Sequence, residues 1–283
     1  SFFYDEWDFN TRQYKKNWCK LFVDTQVRRA TAEQAHRYTV NVLQKNARQL
    51  RELRRQFEEL TYAKRWRTRQ PDGPEIDLDA VVDRYATLKS GHSSSTFLYL
   101  SQRPKERDFA TLVLLDSSLS TDSWVQNRRV MDVIKESILI LGEVVEEFRD
   151  RIAIGAFYSN TRNDCRYIEV KNFEENWKRC QAKLVGLHPT GYTRIGPALR
   201  HATYLLKNVK AKKKLILLIS DGKPTDYDRY EGRYGIEDIR QAIRSASSEN
   251  VTIRALAVES QAKFYLPQMF GTGNFQILPN PNM

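Results

Sequence analysis

"ATLVLLDSSLSTDSW", residues 110–124, runs from uninterrupted apolar side chains straight into an acid and a string of hydroxyls. The apolar part is continuous rather than alternating, which marks a strand buried on both faces. Asp116 falls where that strand ends. In open α/β sheets, ligands bind beyond the carboxyl ends of the strands. The D-x-S-x-S spacing lets Asp116, Ser118 and Ser120 face the same side of a tight loop.

The same rhythm continues downstream. "RIAIGAFYS" (151–159), "CRYIEV" (165–170), "KKLILLISDG" (213–222) and "VTIRALAV" (251–258) read as strands. Between them fall helical patterns: 123–149, with Val130, Val133, Ile134 and Ile138 on its stripe; one around Trp177 and Leu184; one opening out of "TGYT"; and "GIEDIRQAIRSASSEN" (235–250). Strands alternating with helices predict an α/β fold, a doubly wound and mostly parallel sheet. The strand at 213–220 also ends in an acid, Asp221, and the "TGYT" loop brings Thr193 just ahead of a helix. Asp116, Asp221, Ser118, Ser120 and Thr193 form an all-oxygen donor set. Such a set suits Mg²⁺, with Mn²⁺ or Ca²⁺ as alternatives.

Upstream the text is different. From about residue 28 to 66, Leu43, Ala47, Leu50, Leu53, Phe57 and Leu60 recur every three or four residues, with Lys and Arg on the other faces. That spacing predicts one long amphipathic, basic helix, and neither Gly nor Pro interrupts it. "QPDGPEIDLDA" (70–80) supplies a turn, with a short strand or helix start beyond it. The expected organisation is an N-terminal extension over 1–94 and an α/β domain over 95–283.

Composition removes several function classes. The formal charge of +11 attracts acidic partners without choosing among nucleic acid, anionic lipid and an acidic protein face. No recognised nucleic-acid motif accompanies it, so nucleic acid is not the expected partner, though a nucleic-acid-binding protein is a rival reading. No run of about 18 apolar residues is present, so no membrane span is expected. Three cysteines without a CxxC pair and four scattered histidines make a poor disulfide framework and a poor transition-metal site, and point to reduced thiols in the cytoplasm. There is no G-x-x-x-x-G-K-[ST], and Ser118 has no adjacent His in sequence, so an enzyme is not expected. The start, "SFFYDEWDF", has neither an initiator Met nor a signal pattern, the look of a piece of a longer protein.

Three loops in order, Asp116-Ser117-Ser118-Leu119-Ser120, then Gly191-Tyr192-Thr193, then Asp221-Gly222, resemble the metal-ion-dependent adhesion site of the von Willebrand factor A domain. The resemblance implies a Mg²⁺ ion held by Asp116, Ser118, Ser120, Thr193 and Asp221, with an open position for a partner's carboxylate. "YDEWD", "DGPEIDLDA", "GYTRIGPALRHAT" and "SDGKPTDYDRYEGRYGIEDIR" are further similar to the carboxy-terminal region of NorD- and CbbO-type proteins. Those work beside a MoxR-type AAA+ ATPase ring. The resemblance implies a non-catalytic adaptor that couples the ATPase to a client enzyme, rubisco or nitric oxide reductase, through an acidic side chain. A stand-alone adhesion or scaffold module is the competing reading. "DYDRYEGRYG" places Tyr230, Arg233 and Tyr234 right after the metal loop, and Tyr and Arg dominate protein interfaces. These three are expected to face a partner; the bland alternative is a loop whose charges pair locally.

Overall fold

The structure is a computed structural model describing residues 1–25, 28–62, 64–94, 96–104, 108–125, 127–220, 223–257 and 264–277, the side chains of 60–62, 64–66 and 102–104 excepted. The chain opens with a hairpin, β1 (Phe2–Asp8) and β2 (Gln13–Asp24). Helix α1 (Ala32–Lys45) and helix α2 (Ala47–Tyr62) follow. Then come β3 (Lys64–Gln70), β4 (Glu75–Ile76), α3 (Leu78–Lys89) and β5 (Tyr99–Pro104). The decisive strand is β6 (Phe109–Asp116), followed by the two-residue strands β7 (Trp124–Val125) and β8 (Arg128–Arg129) and by α4 (Val130–Glu147). Next are β9 (Arg151–Thr161), β10 (Asp164–Lys171), α5 (Trp177–Val185) and α6 (Ile195–Lys207). The chain continues through β11 (Lys213–Ser220), α7 (Gly232–Ser248), β12 (Val251–Ala257), α8 (Leu266–Phe270) and β13 (Phe275–Ile277).

By contact the chain divides into two units, Ser1–Leu50 with Asp108–Met283, and Arg51–Arg107. In the larger, one sheet runs β1-β2-β10-β9-β6-β11-β12-β13. β6 is central, parallel to β9 on one side and to β11 on the other. β12 and β13 extend the parallel set, and β10 and β1 are the antiparallel members beside β9 and β2. The apolar run of β6 explains itself here. Leu112 and Leu114 join a core cluster with Ile195, Leu199 and Ile239 from α6 and α7. Val113 and Leu115 point to the opposite face and are equally buried. Each such side chain contributes about 1.5–3 kcal/mol of burial, so a strand covered on both faces has no use for polar alternation. The smaller unit holds its own sheet, ordered β3-β5-β4. There Asp77 caps α3 by accepting from the Ala80 N–H at 3.2 Å, while its other oxygen takes the Arg69 N–H at 2.9 Å.

Three expectations change. The boundary expected at 94/95 is replaced by the division above, because residues 2–24 are strands of the main sheet: β2 lies parallel to β10, pairing Leu21 with Cys165. The long helix is two helices with a strand after them. Asn46 interrupts it, its side chain donating to the Val42 carbonyl at 2.8 Å, and the N-terminal end is fixed at Thr31 by a capping box with Gln34. The helix expected from 123 begins at Val130 instead. Hydroxyls hold the preceding segment in other shapes: Thr121 Oγ1 donates to the Ser118 carbonyl at 2.7 Å in a short 3₁₀ turn, Leu119–Asp122. Among the described residues no helix is long and apolar enough to cross a membrane.

One core contact sets a pH dependence. His201 on α6 is fully buried; its Nδ1 is 2.8 Å from the Tyr4 hydroxyl and its ring meets Tyr167 edge-on at 4.7 Å. Burial depresses its pKa to about 4. The unfolded imidazole therefore binds a proton near pH 6.5 that the folded one refuses, so stability is complete above about 6.5 and lost as pH falls toward about 4. The loss is about 3 kcal/mol. Urea unfolding at pH 7 and pH 4.5 should show His201→Gln losing less stability over that interval than the native chain; equal losses would assign the effect to the carboxylates.

Candidate metal centre

The site is built where β6 and β11 end. Asp116 is the last residue of β6, and its carboxylate is wholly buried. Oδ1 accepts the Ser118 N–H at 2.9 Å, and Oδ2 accepts the Ser220 hydroxyl at 2.7 Å. The first bond folds the loop back on its own acid, as Asp commonly does two residues ahead in a turn. The hydroxyls of Ser118 and Ser120 consequently converge to 2.7 Å. Ser117 turns the other way and anchors the loop to β9, its N–H and hydroxyl both donating to the Phe157 carbonyl at 3.0 and 2.9 Å.

Backbone bonds bring the second loop alongside. Thr190 N–H donates to the Ser117 carbonyl at 2.7 Å, and Leu119 N–H donates to the Gly191 carbonyl at 3.0 Å. Gly191 takes a φ of +67°, and Tyr192 exchanges a pair of hydrogen bonds with Ser159 at 2.6 and 2.9 Å. Thr193 is buried and pairs with Thr225 of the third loop in the same reciprocal way, at 2.7 and 3.0 Å. Asp116, Ser118, Ser120 and Thr193 thus stand on adjoining loops at one end of the sheet. Asp221, with Gly222, lies outside the described residues. The donors are hydroxyls around a carboxylate. Among the described residues no group of three or more His, Cys, Asp or Glu is placed to hold a metal ion.

The residues expected to face a partner are corrected in part. Tyr230 has no exposed surface; its hydroxyl donates to Asp238 at 2.7 Å and accepts the Gly196 N–H at 3.1 Å. Burial, reinforced by the Asp238 carboxylate, pushes its pKa well above the usual phenol value. Tyr234 is half-buried, donating to Glu6 at 2.9 Å and accepting from Lys15 at 3.3 Å. Only Arg233 is exposed, its guanidinium 3.9 Å above the Phe9 ring. The cause is shared chemistry: Tyr, Arg and Asp build buried ionic networks as readily as interfaces. The exposed apolar and aromatic side chains on the site loops are Leu119, Trp124, Tyr192 and Tyr227, between 41% and 78% accessible. Sequence reading missed Leu119, Trp124 and Tyr192, although each lies within four residues of a D-x-S-x-S or G-x-T position.

The von Willebrand factor type A domain model matches residues 112–277, and the chain belongs to that family. Over 278 residues, 98% of its length, it is 38% identical to the protein named NorD from Brucella melitensis. Over 233 residues, 82% of its length, it is 40% identical to the protein of that name from Stutzerimonas stutzeri. The matched regions make up 43% and 38% of those proteins, so the chain spans about two fifths of these relatives. Among solved structures, the von Willebrand factor domain of the type V pili tip protein Mfa5 from Porphyromonas gingivalis superposes with a TM-score of 0.50 at 11% identity. That match covers 62% of this chain and 90% of the other, and it shows the fold alone.

Proposed function

We propose that this chain is a non-catalytic adaptor whose site grips a carboxylate of a partner protein through a bound Mg²⁺, coupling a MoxR-type AAA+ ATPase to a client enzyme in the cytoplasm. The observation that carries the reading is the convergence of Ser118 and Ser120 hydroxyls beside a buried Asp116, with the Thr193 loop bonded alongside. Asp116, Ser118, Ser120 and Thr193 would hold the ion, with Asp221 as the fifth expected donor. These oxygens suit a hard divalent cation. When bound, the ion would supply an electrophilic position that a partner's Asp or Glu can occupy. Ser220 and the Ser118 N–H orient Asp116, so its carboxylate geometry is set before any ion or partner arrives. Around this centre, Trp124, Tyr192 and Tyr227 offer the rigid, amphipathic contact area that interfaces concentrate, and Leu119 adds exposed apolar surface. The relatives named NorD favour nitric oxide reductase over rubisco as the client.

The test is calorimetric titration of Mg²⁺ into this chain and into Asp116→Ala, with thermal melts of both. A saturable isotherm in the native chain that disappears in the folded variant supports the site. If Asp116→Ala binds Mg²⁺ as the native chain does, the carboxylate is not a ligand and the reading fails. Genomic neighbourhood then decides the client.

A further inference from the structure

We propose that Arg194 is the positioning residue of this site, and that the N-terminal hairpin, through Glu6, holds it in place. Arg194 directly follows Thr193, and its side chain is 1% exposed. Each of its three nitrogens meets a different carboxylate. Nε donates to Asp226 at 2.8 Å, one terminal nitrogen to Glu6 on β1, and the other to Asp228. Asp226 also accepts from Ser159 at the end of β9 at 2.9 Å. Asp228 takes the Arg162 N–H at 3.1 Å. One guanidinium therefore ties the second site loop to the segment leaving the third, to the end of β9 and to the first strand of the chain. The guanidinium also stacks over the Tyr230 ring, 4.5 Å from its centroid.

The planar fork is what makes this a positioning device rather than a generic ion pair. Thr193 and Thr225 are backbone partners, and Asp226 follows Thr225, so Arg194 and Asp226 repeat with side chains the bond their neighbours make with main chain. Glu6 is the outer anchor. Its second oxygen accepts from Tyr234 at 2.9 Å, and Cys19 on β2 donates to the first at 3.1 Å, so the acid has little freedom of its own. A displacement of β1 reaches Thr193 through the Glu6–Arg194 pair, and the coupling acts equally in reverse.

The experiment is hydrogen exchange of the full chain and of Glu6→Gln, each with and without Mg²⁺. Gln keeps the size of the side chain and removes one of three charges on Arg194. Without the ion, the variant should exchange roughly tenfold faster across 190–195 and 225–230 while α4 (130–147) keeps its native rates. A uniform acceleration that includes α4 would mean a structural role only and would overturn the proposal, as would unchanged loops. With Mg²⁺, which rests on the metal reading above, the native chain should gain protection at 190–195 and at β1 together, and Glu6→Gln should lose the β1 share. Protection at 190–195 with β1 unmoved overturns the coupling. No effect of Mg²⁺ on the native chain counts against the metal, and the ion-free comparison then decides the role of Arg194 by itself.

Discussion

Tyr230→Ala lowers the unfolding free energy by about 3–5 kcal/mol, the range for removing a buried aromatic ring. Whole domains are stable by roughly 5–15 kcal/mol, so one side chain accounts for a large share. Three losses coincide. The ring leaves a cavity between α6 and α7; the Gly196 N–H loses its acceptor; and Asp238 loses a donor. Asp238 cannot drift to find another, because it also receives Arg200 and the Trp7 N–H at 2.8 Å. Tyr230→Phe keeps the ring and strips only the hydroxyl, which should cost about 1–3 kcal/mol. Urea unfolding of the two variants separates packing from hydrogen bonding. A loss below about 1 kcal/mol for the alanine variant would contradict the burial described here.

Gly191→Ala should cost about 2–5 kcal/mol, by adding left-handed strain to displacement of a packed loop. At its φ of +67° an added Cβ would sit 2.4 Å from the Ser159 carbonyl oxygen, a backbone atom held in place by Tyr192. The loop has to give way, and with it the Leu119–Gly191 bond that aligns the first two site loops. Gly232 provides the contrast. Its φ is +55°, but nothing lies near an added Cβ, so Gly232→Ala should carry the strain of about 1–2 kcal/mol alone. Urea unfolding reads the stability difference, and Mg²⁺ titration reads whether the Gly191 variant also weakens the site. Equal costs for both glycines would show that the close approach at Ser159 relaxes freely.

The alternating half of the fold was legible in the sequence because burial on both faces writes itself as unbroken apolar text. β6 and β11 appear within a residue or two of their expected bounds. The D-x-S-x-S loop was legible for a related reason, since local side-chain bonds such as Asp116 to the Ser118 N–H follow from spacing alone. The hairpin β1–β2 was hidden because its inward positions include Glu6 and Asp8, both buried. Acids at core positions erase the period-two signal: Glu6 depends on Arg194 and Tyr234 far along the chain, while Asp8 is held locally by Lys15 at 2.9 Å and the Asn10 N–H at 2.8 Å. The start of α4 was hidden by "SSLSTDS", whose hydroxyls compete with helix formation. Tyr230 was misread because composition reports which residues occur together, not which of them face solvent.

The placement of β1 and β2 bears on how the chain is made. These strands are translated before nearly everything they touch. Leu21 waits for Cys165, Glu6 for Arg194, and Trp7 for Asp238, a separation of 231 residues. At ordinary elongation speeds the wait is on the order of 10–50 s. During it, a ribbon carrying Phe2, Phe3, Trp7 and Trp18 has no sheet to join. Long-range pairing of this kind slows folding and leaves strand edges open to other nascent chains. The opposite edge carries no such delay, since β12 and β13 emerge soon after β11 and find it already built. Losses during biosynthesis should therefore concentrate on the amino-terminal ribbon, and a holding chaperone would find its natural substrate there.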